Sequence, residues 1–267
     1  MDSHKYRMID IKSIPIYCIN LDKRPGRYTF FMNQEGSKEL NIRRYPAVDG
    51  SRLTIIDNPD ISYQTQSNII NKTRRSHGEI DTAGAVGCSL SHYNIWKEFL
   101  KTDAQHCLVL EDDAKLPIAL SDTIKEVSPL NGGFDVWLLS YRLYDKRVRI
   151  VDTNNTKWKT PVYFWGTASY IISRKGAEEL IQHFFPIECH LDKYMCLKAS
   201  LKKTRIVIHE DIQLYTLSHG TDIQLNSCQL CKFPNDFNDG ILIKKSILGG
   251  IVFYGVLLTI LFTVKTR

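Results

Sequence analysis

Two short apolar runs constrain this chain most: Ile14-Pro-Ile-Tyr-Cys-Ile-Asn-Leu21 and Cys107-Leu-Val-Leu110, each ending abruptly in charge. An apolar run of this length without polar alternation reads as a strand buried on both faces. Such strands need a sheet with cover on either side, and the remaining pattern supplies that cover. Helical spacing is expected over Tyr28 to Leu40, Pro117 to Val127, Lys175 to His183 and Leu191 to Ser200. It is clearest from Val86 to Lys101, where Leu90, Tyr93, Ile95, Trp96, Phe99 and Leu100 recur. Further extended segments fall at Asp135 to Ser140, Ala168 to Ser173 and Arg205 to Ile208, while residues 51–82 are polar and aperiodic and read as a long irregular excursion. Strands alternating with helices predict an α/β fold with a mainly parallel sheet. At 267 residues, 43% of them hydrophobic, the chain has room for one large domain of this kind or two modest ones, and its composition excludes a disordered or collagenous one.

The segment Leu108-Val-Leu-Glu-Asp-Asp-Ala114 carries the strongest chemical signal. Three adjacent carboxylates directly after a buried strand raise one another's pKa. A hard divalent cation, Mg²⁺ or Mn²⁺, offsets that repulsion. In open α/β sheets ligands bind just beyond the carboxyl ends of strands, which is where this triplet falls. Along an extended chain Glu111 and Asp113 point to one side and Asp112 to the other. The competing reading is a solvated acidic turn that caps the next helix.

The formal charge of +6 is a mild bias toward anionic partners. The basic residues form no stripe interleaved with aromatics, so no nucleic-acid partner is expected. Of seven cysteines only Cys228 and Cys231 have redox or metal spacing, and reduced thiols are the expectation. The polar N-terminus, Met1 to Asp10, gives no sign of a secretory signal. From Ile247 to Val264 the chain is uncharged and flanked by Lys244, Lys245, Lys265 and Arg267. As a helix this stretch would span about 27 Å, close to the hydrocarbon thickness, with the flanking cations reaching the interfaces. It is expected to be a single-pass C-terminal membrane anchor, with the soluble part facing the cytosol, or the virion interior in a virus. Residues 226–246 read as a polar linker.

A set of short motifs in order extends this reading: Ile16-Tyr-Cys-Ile-Asn-Leu-Asp-Lys-Arg-Pro-Gly-Arg27, Ala47-Val-Asp-Gly50, Gly87-Cys-Ser-Leu-Ser-His-Tyr-Asn-Ile-Trp96 and the acidic triplet. Gly166-Thr-Ala-Ser-Tyr-Ile-Ile-Ser-Arg-Lys-Gly-Ala177, the Asp192 segment and Thr221-Asp-Ile223 follow. Together they resemble glycosyltransferase family 25, which includes bacterial lipooligosaccharide galactosyltransferases and collagen hydroxylysine galactosyltransferases. The resemblance runs over about residues 14–225, within a catalytic domain bounded at 12–225.

That resemblance implies a GT-A-like, Rossmann-type domain that transfers galactose or glucose from a UDP-sugar, with inversion, to a glycan, a lipid-linked acceptor or a protein hydroxyl. It sets Glu111 and Asp113 at the metal position of a DxD-like motif, with Asp112 toward the donor and His219 as a further metal or diphosphate ligand. It implies donor contacts for Asn20, Asp22, Arg24, Arg27, Asp49 and His92. Arg24 and Arg27 are equally readable as the charges of a solvated turn, Asp49 as a turn-shaping residue, and His92 as a satisfied residue of an amphipathic helix. Asp192 is the candidate base for the acceptor hydroxyl, its alternative being a helix cap. The alternative for the whole chain is a catalytically inactive membrane protein that binds a nucleotide or glycan on the same fold.

Overall fold

The computed structural model describes residues 8–128, 130, 133–143, 147–217 and 223. The chain divides into two units, residues 1–73 with 78–224 and residues 74–77 with 225–267. Only 74–77 of the second are described, and the architecture below is that of the first. The expected linker, the expected membrane helix at 247–264, His219, Cys228 and Cys231 all lie outside the described residues. Among the described residues no helix is long and apolar enough to cross a membrane, and Cys18, Cys88, Cys107, Cys189 and Cys196 are free thiols.

In chain order the elements are β1 (Ile16–Asn20), α1 (Pro25–Met32), β2 (Ile42–Pro46), α2 (Tyr63–Asn71), α3 (Ala83–Leu100), β3 (His106–Glu111), α4 (Leu120–Val127) and β4 (Val136–Leu138). They continue with β5 (Arg142–Leu143), β6 (Val148–Ile150), β7 (Trp158–Pro161), β8 (Phe164–Trp165), β9 (Ser169–Ser173), α5 (Arg174–Ile181), α6 (Leu191–Ser200) and β10 (Ile206–His209). Among the described residues eight strands form one sheet in the order β2-β1-β3-β9-β4-β10-β7-β6, and β5 pairs with β8 in a small ribbon.

Successive residues of a strand face opposite ways, and here both faces are dry. Tyr17, Ile19, Cys107 and Val109 pack with Trp96 and Phe99 of α3, Leu180 of α5 and Met195 of α6. Ile16, Cys18, Leu108 and Leu110 pack on the other face with Phe31 of α1 and Ile124 of α4. The unbroken apolar runs are thus the signature of a central sheet covered on both sides.

Six of the eight strands share one direction, in line with a mainly parallel sheet. Two do not: β9 runs antiparallel to both neighbours, β3 and β4, and β7 antiparallel to β10 and β6. The fold is therefore a mixed α/β sheet. The polar excursion at 51–82 also needs correction, because it contains α2. Ser62 caps that helix by accepting from Thr65 N at 3.2 Å. Its buried face is polar: Gln66 Nε2 donates to the carbonyls of Asn58 and Ile61, and Asn68 Nδ2 to Glu79 Oε2. A helix buried through amides shows no apolar period, which is why the pattern missed it.

The chain leaves β1 for β2 on one side and returns to β3 on the other. Ile19 is in register with Glu111 and Asn20 with Pro46. The carboxyl ends of all three strands consequently open onto one edge, at the point where strand order reverses, which is the ligand-binding position of such sheets.

Candidate active site

At that edge lies a cleft of about 250 Å³, built from the ends of β1 and β3, the loop 47–51 after β2 and the start of α3. Its lining includes Asn20, Arg27, Asp49, Cys88, His92, Glu111, Asp112 and Asp113. Four carboxylates, Asp49, Glu111, Asp112 and Asp113, face two cationic side chains, Lys23 and Arg27. The imbalance makes the cleft a place for cations.

Each carboxylate of the triplet is held differently. Asp112 is buried and has its charge satisfied: Asn20 Nδ2 donates to Oδ2 at 2.6 Å, and the Arg27 guanidinium pairs with Oδ1. Burial still pushes its pKa up, against the pull of Asn20 and Arg27. Glu111 shares Oε1 between Thr167 Oγ1 at 3.3 Å and His92 Nε2 at 3.4 Å. Burial alone would raise its pKa, but His92, Thr167 and Arg27 together hold it below the ordinary value. Asp113 lies 3.8 Å from Arg27, and its Oδ1 is buried with no hydrogen-bond partner. Burial and the neighbouring Glu111 charge raise its pKa to about 7.

A buried carboxylate oxygen with no partner, beside a second carboxylate, is a donor set that suits a hard divalent cation. Glu111 and Asp113 fit that role, while Asp112 is committed to Asn20 and Arg27. Cys88, His92 and Glu111 also offer ligand-type atoms within 4.8 Å of one another.

Local sequence explains the framing. Arg27 reaches the triplet because Pro25 starts α1, its fixed φ suiting the first helical position. Thr82 caps α3 by accepting from Ala85 N, and Ala83 and Gly84 of that first turn line the cleft. The partial positive charge of an 18-residue helix is thus aimed into it. Close packing of α3 on the loop 48–50 requires glycine twice. A Cβ on Gly87 would fall 2.5 Å from Val48 O, and one on Gly50 2.0 Å from Ala83 O.

The structure brings together Asn20, Arg27, Asp49, His92, Glu111, Asp112 and Asp113. Asp49 sits in the lining, paired with Lys23 at 2.9 Å and capping the turn at Ser51. Two residues expected at the donor do not line the cleft. Asp22 is exposed and paired with Arg44 at 2.6 Å, and Arg24 contributes its carbonyl to Asn20 Nδ2. Both stand on the turn before α1, where Lys23 between them and Arg27 in the first turn of the helix are the cations that reach the lining. Asp192 also lies outside the lining. It opens α6 and accepts from Gly166 N at 3.0 Å and Lys193 N at 2.7 Å. Burial raises its pKa and the Glu111 charge adds to the rise, so the two carboxylates sense each other. Sequence reasoning missed Cys88, Thr167 and Arg44, which holds Asn20 Oδ1 at 2.9 Å. Arg44 alternates along a half-exposed edge strand, and no apolar run marked it.

A sequence model of glycosyltransferase family 25 (LPS biosynthesis protein) matches residues 13–195, more than half of the chain. A glycosyltransferase 25 family member of Aedes aegypti is 30% identical over 177 residues, covering 62% of this chain and 28% of the relative. Procollagen galactosyltransferase 1 of Danio rerio is 27% identical over 173 residues, with the same two coverages. A Bos taurus protein named "Probable inactive glycosyltransferase 25 family member 3" is 25% identical over 171 residues, again at 62% and 28%. The chain therefore spans less than a third of the length of these relatives.

Proposed function

The chain belongs to glycosyltransferase family 25, and we propose that it moves a hexose, galactose or glucose, from a UDP-sugar to a hydroxyl of a glycan, lipid-linked or protein acceptor, with inversion on a GT-A-like domain. The observation that carries this reading is the cleft at the β1/β3 switch point, where an unpartnered Asp113 oxygen stands beside Glu111 and opposite the α3 N-terminus. Mn²⁺ or Mg²⁺ held by Glu111 and Asp113 would supply charge neutralisation for the diphosphate leaving group. His219 is proposed as a third ligand from sequence alone.

The chain's own residues support the rest of the reading. Arg27 offers a guanidinium at the donor side, where a planar fork suits phosphate oxygens. Asn20 holds Asp112, so that Asp112 and Arg27 keep a fixed orientation as the donor enters. The first-turn N–H groups of α3 suit an anion. Asp192 is the proposed base: its raised pKa strengthens it as a proton acceptor, and its bonds to Gly166 N and Lys193 N aim it. The stretch 247–264 is proposed as a membrane anchor. The name given to the Bos taurus relative favours one second reading, a fold that binds the donor without turning it over.

Release of nucleoside diphosphate from a panel of nucleotide sugars, with Mn²⁺ and with EDTA, tests both readings. Metal-dependent release from one donor is expected, abolished by Asp113→Ala. Asp192→Asn is expected to lower kcat by about 10²–10⁴-fold with donor binding retained. UDP binding without release from any donor, acceptors included, establishes the second reading instead.

A further inference from the structure

Behind the triplet a chain of polar groups crosses the dry core between α3 and β9. Trp96 Nε1 donates to Tyr170 Oη at 2.9 Å, and Tyr170 Oη lies 2.9 Å from His92 Nδ1. All three side chains are buried at 0% exposure, so water cannot stand in for a missing partner. The His92 and Tyr170 rings stack with centroids 5.7 Å apart, which fixes the edge that each presents to the other.

The direction of this chain is not free. An indole N–H is a donor only, so Tyr170 Oη must accept from Trp96. Its own hydrogen then needs an acceptor, and among the described residues His92 Nδ1 is the one within reach. Any form of His92 with a proton on Nδ1 strands that hydroxyl hydrogen in the core, a cost that disfavours it roughly ten- to hundredfold. The neutral ring therefore carries its proton on Nε2, which lies 3.4 Å from Glu111 Oε1, an electrostatic contact without hydrogen-bond geometry.

We infer that Trp96 and Tyr170 are positioning residues for the site: they lock His92 in the Nε2–H tautomer, so that an N–H dipole and not a lone pair stands against the Glu111 carboxylate. The inference rests on the proposed role of Glu111 in the cleft. It also decides the nature of the Cys88–His92–Glu111 cluster. A zinc ion there would need the Nε2 lone pair, and the tautomer puts a proton in its place. With that proton in place the cluster is not a second metal site.

The test is direct observation of the tautomer in the full chain with ¹⁵N-labelled histidine rings. Long-range ¹⁵N–¹H correlation separates protonated from unprotonated ring nitrogens, and the His92 signals are those lost in His92→Gln. Expected are an unprotonated Nδ1 and a protonated Nε2. In Tyr170→Phe the ring is retained and the hydroxyl is gone. There the Nε2–H preference is expected to fall away, with affinity for Mn²⁺ plus UDP lower by about tenfold and the melting transition still cooperative. Should Tyr170→Phe not fold, Trp96→Phe removes the donor at the head of the chain and is expected to weaken the same preference. A protonated Nδ1 in the parent protein, or ring signals unmoved in a folded Tyr170→Phe, overturns the inference. The expected tautomer in a protein that turns over no nucleotide sugar counts against the transferase reading alone.

Discussion

Arg27 joins two carboxylates that differ in what else they have. Asp112 has Asn20 as well, whereas Asp113 has an oxygen with no partner and a pKa raised by burial and by Glu111. A carboxyl that holds its proton more tightly folded than unfolded favours the fold below its unfolded pKa, about 3.9. That contribution is lost as pH rises toward the folded value near 7. In EDTA, Asp113→Asn is accordingly expected to be more stable than the parent at pH 8, with the gap narrowing toward pH 5. Urea denaturation midpoints at four pH values check this, and a gap independent of pH would sink it. The triplet was legible in the sequence because charge directly after a buried strand is costly without a function. Asp22 and Arg24 were not separable from Lys23 and Arg27 there, since all four sit on one charged segment and its backbone path into α1 decides which face inward.

At the scale of elements, α3 carries most of the site's geometry, and its contact with the loop 48–50 is close enough to exclude a methyl group. Gly87→Ala would favour a helix by about 1 kcal/mol, but its Cβ meets backbone at 2.5 and 2.8 Å, which cannot yield without moving the loop. A net loss of about 2–3 kcal/mol is expected, together with weaker nucleotide binding. Gly26→Ala in α1 is the matched control. Nothing lies within 4 Å of its added Cβ, so it is expected to be neutral or stabilising by up to about 1 kcal/mol. Thermal melts of the pair measure both. The sequence marked α3 because Trp96, Phe99 and Ile95 repeat on one face, and it marked β1 and β3 because both their faces are buried. It hid α2, whose inward side chains are Thr65, Gln66 and Asn68, and β2, whose half-exposed Ile-Arg-Arg-Tyr-Pro has no apolar run to read.

For the whole molecule, the alternation of strands and helices gave the layers, the covered sheet and the edge at which the cleft lies. The reversal of β9 was beyond a pattern argument, because a strand buried on both faces looks the same in either direction, and β7, part-exposed at Lys159 and Thr160, carries no apolar run to read. If the cleft is the donor site, ligand binding couples to the stability of the entire first unit. UDP with Mn²⁺ at a hundred times its dissociation constant is expected to add about 2.7 kcal/mol, with EDTA removing the gain. A melting midpoint unmoved by both would place the nucleotide elsewhere.

The reversed strand β9 has a consequence for how the protein is made. Ser169–Ser173 slots between β3 and β4, both of which leave the ribosome earlier. Until it arrives, β3 presents a bare apolar edge to the cell, open to pairing with another nascent chain. Translation from Glu111 to Ser173 at 5–20 residues per second leaves that edge waiting on the order of 3–12 s. The middle of the sheet thus stays open until β9 is made, and that interval is when cover on the β3 edge matters most.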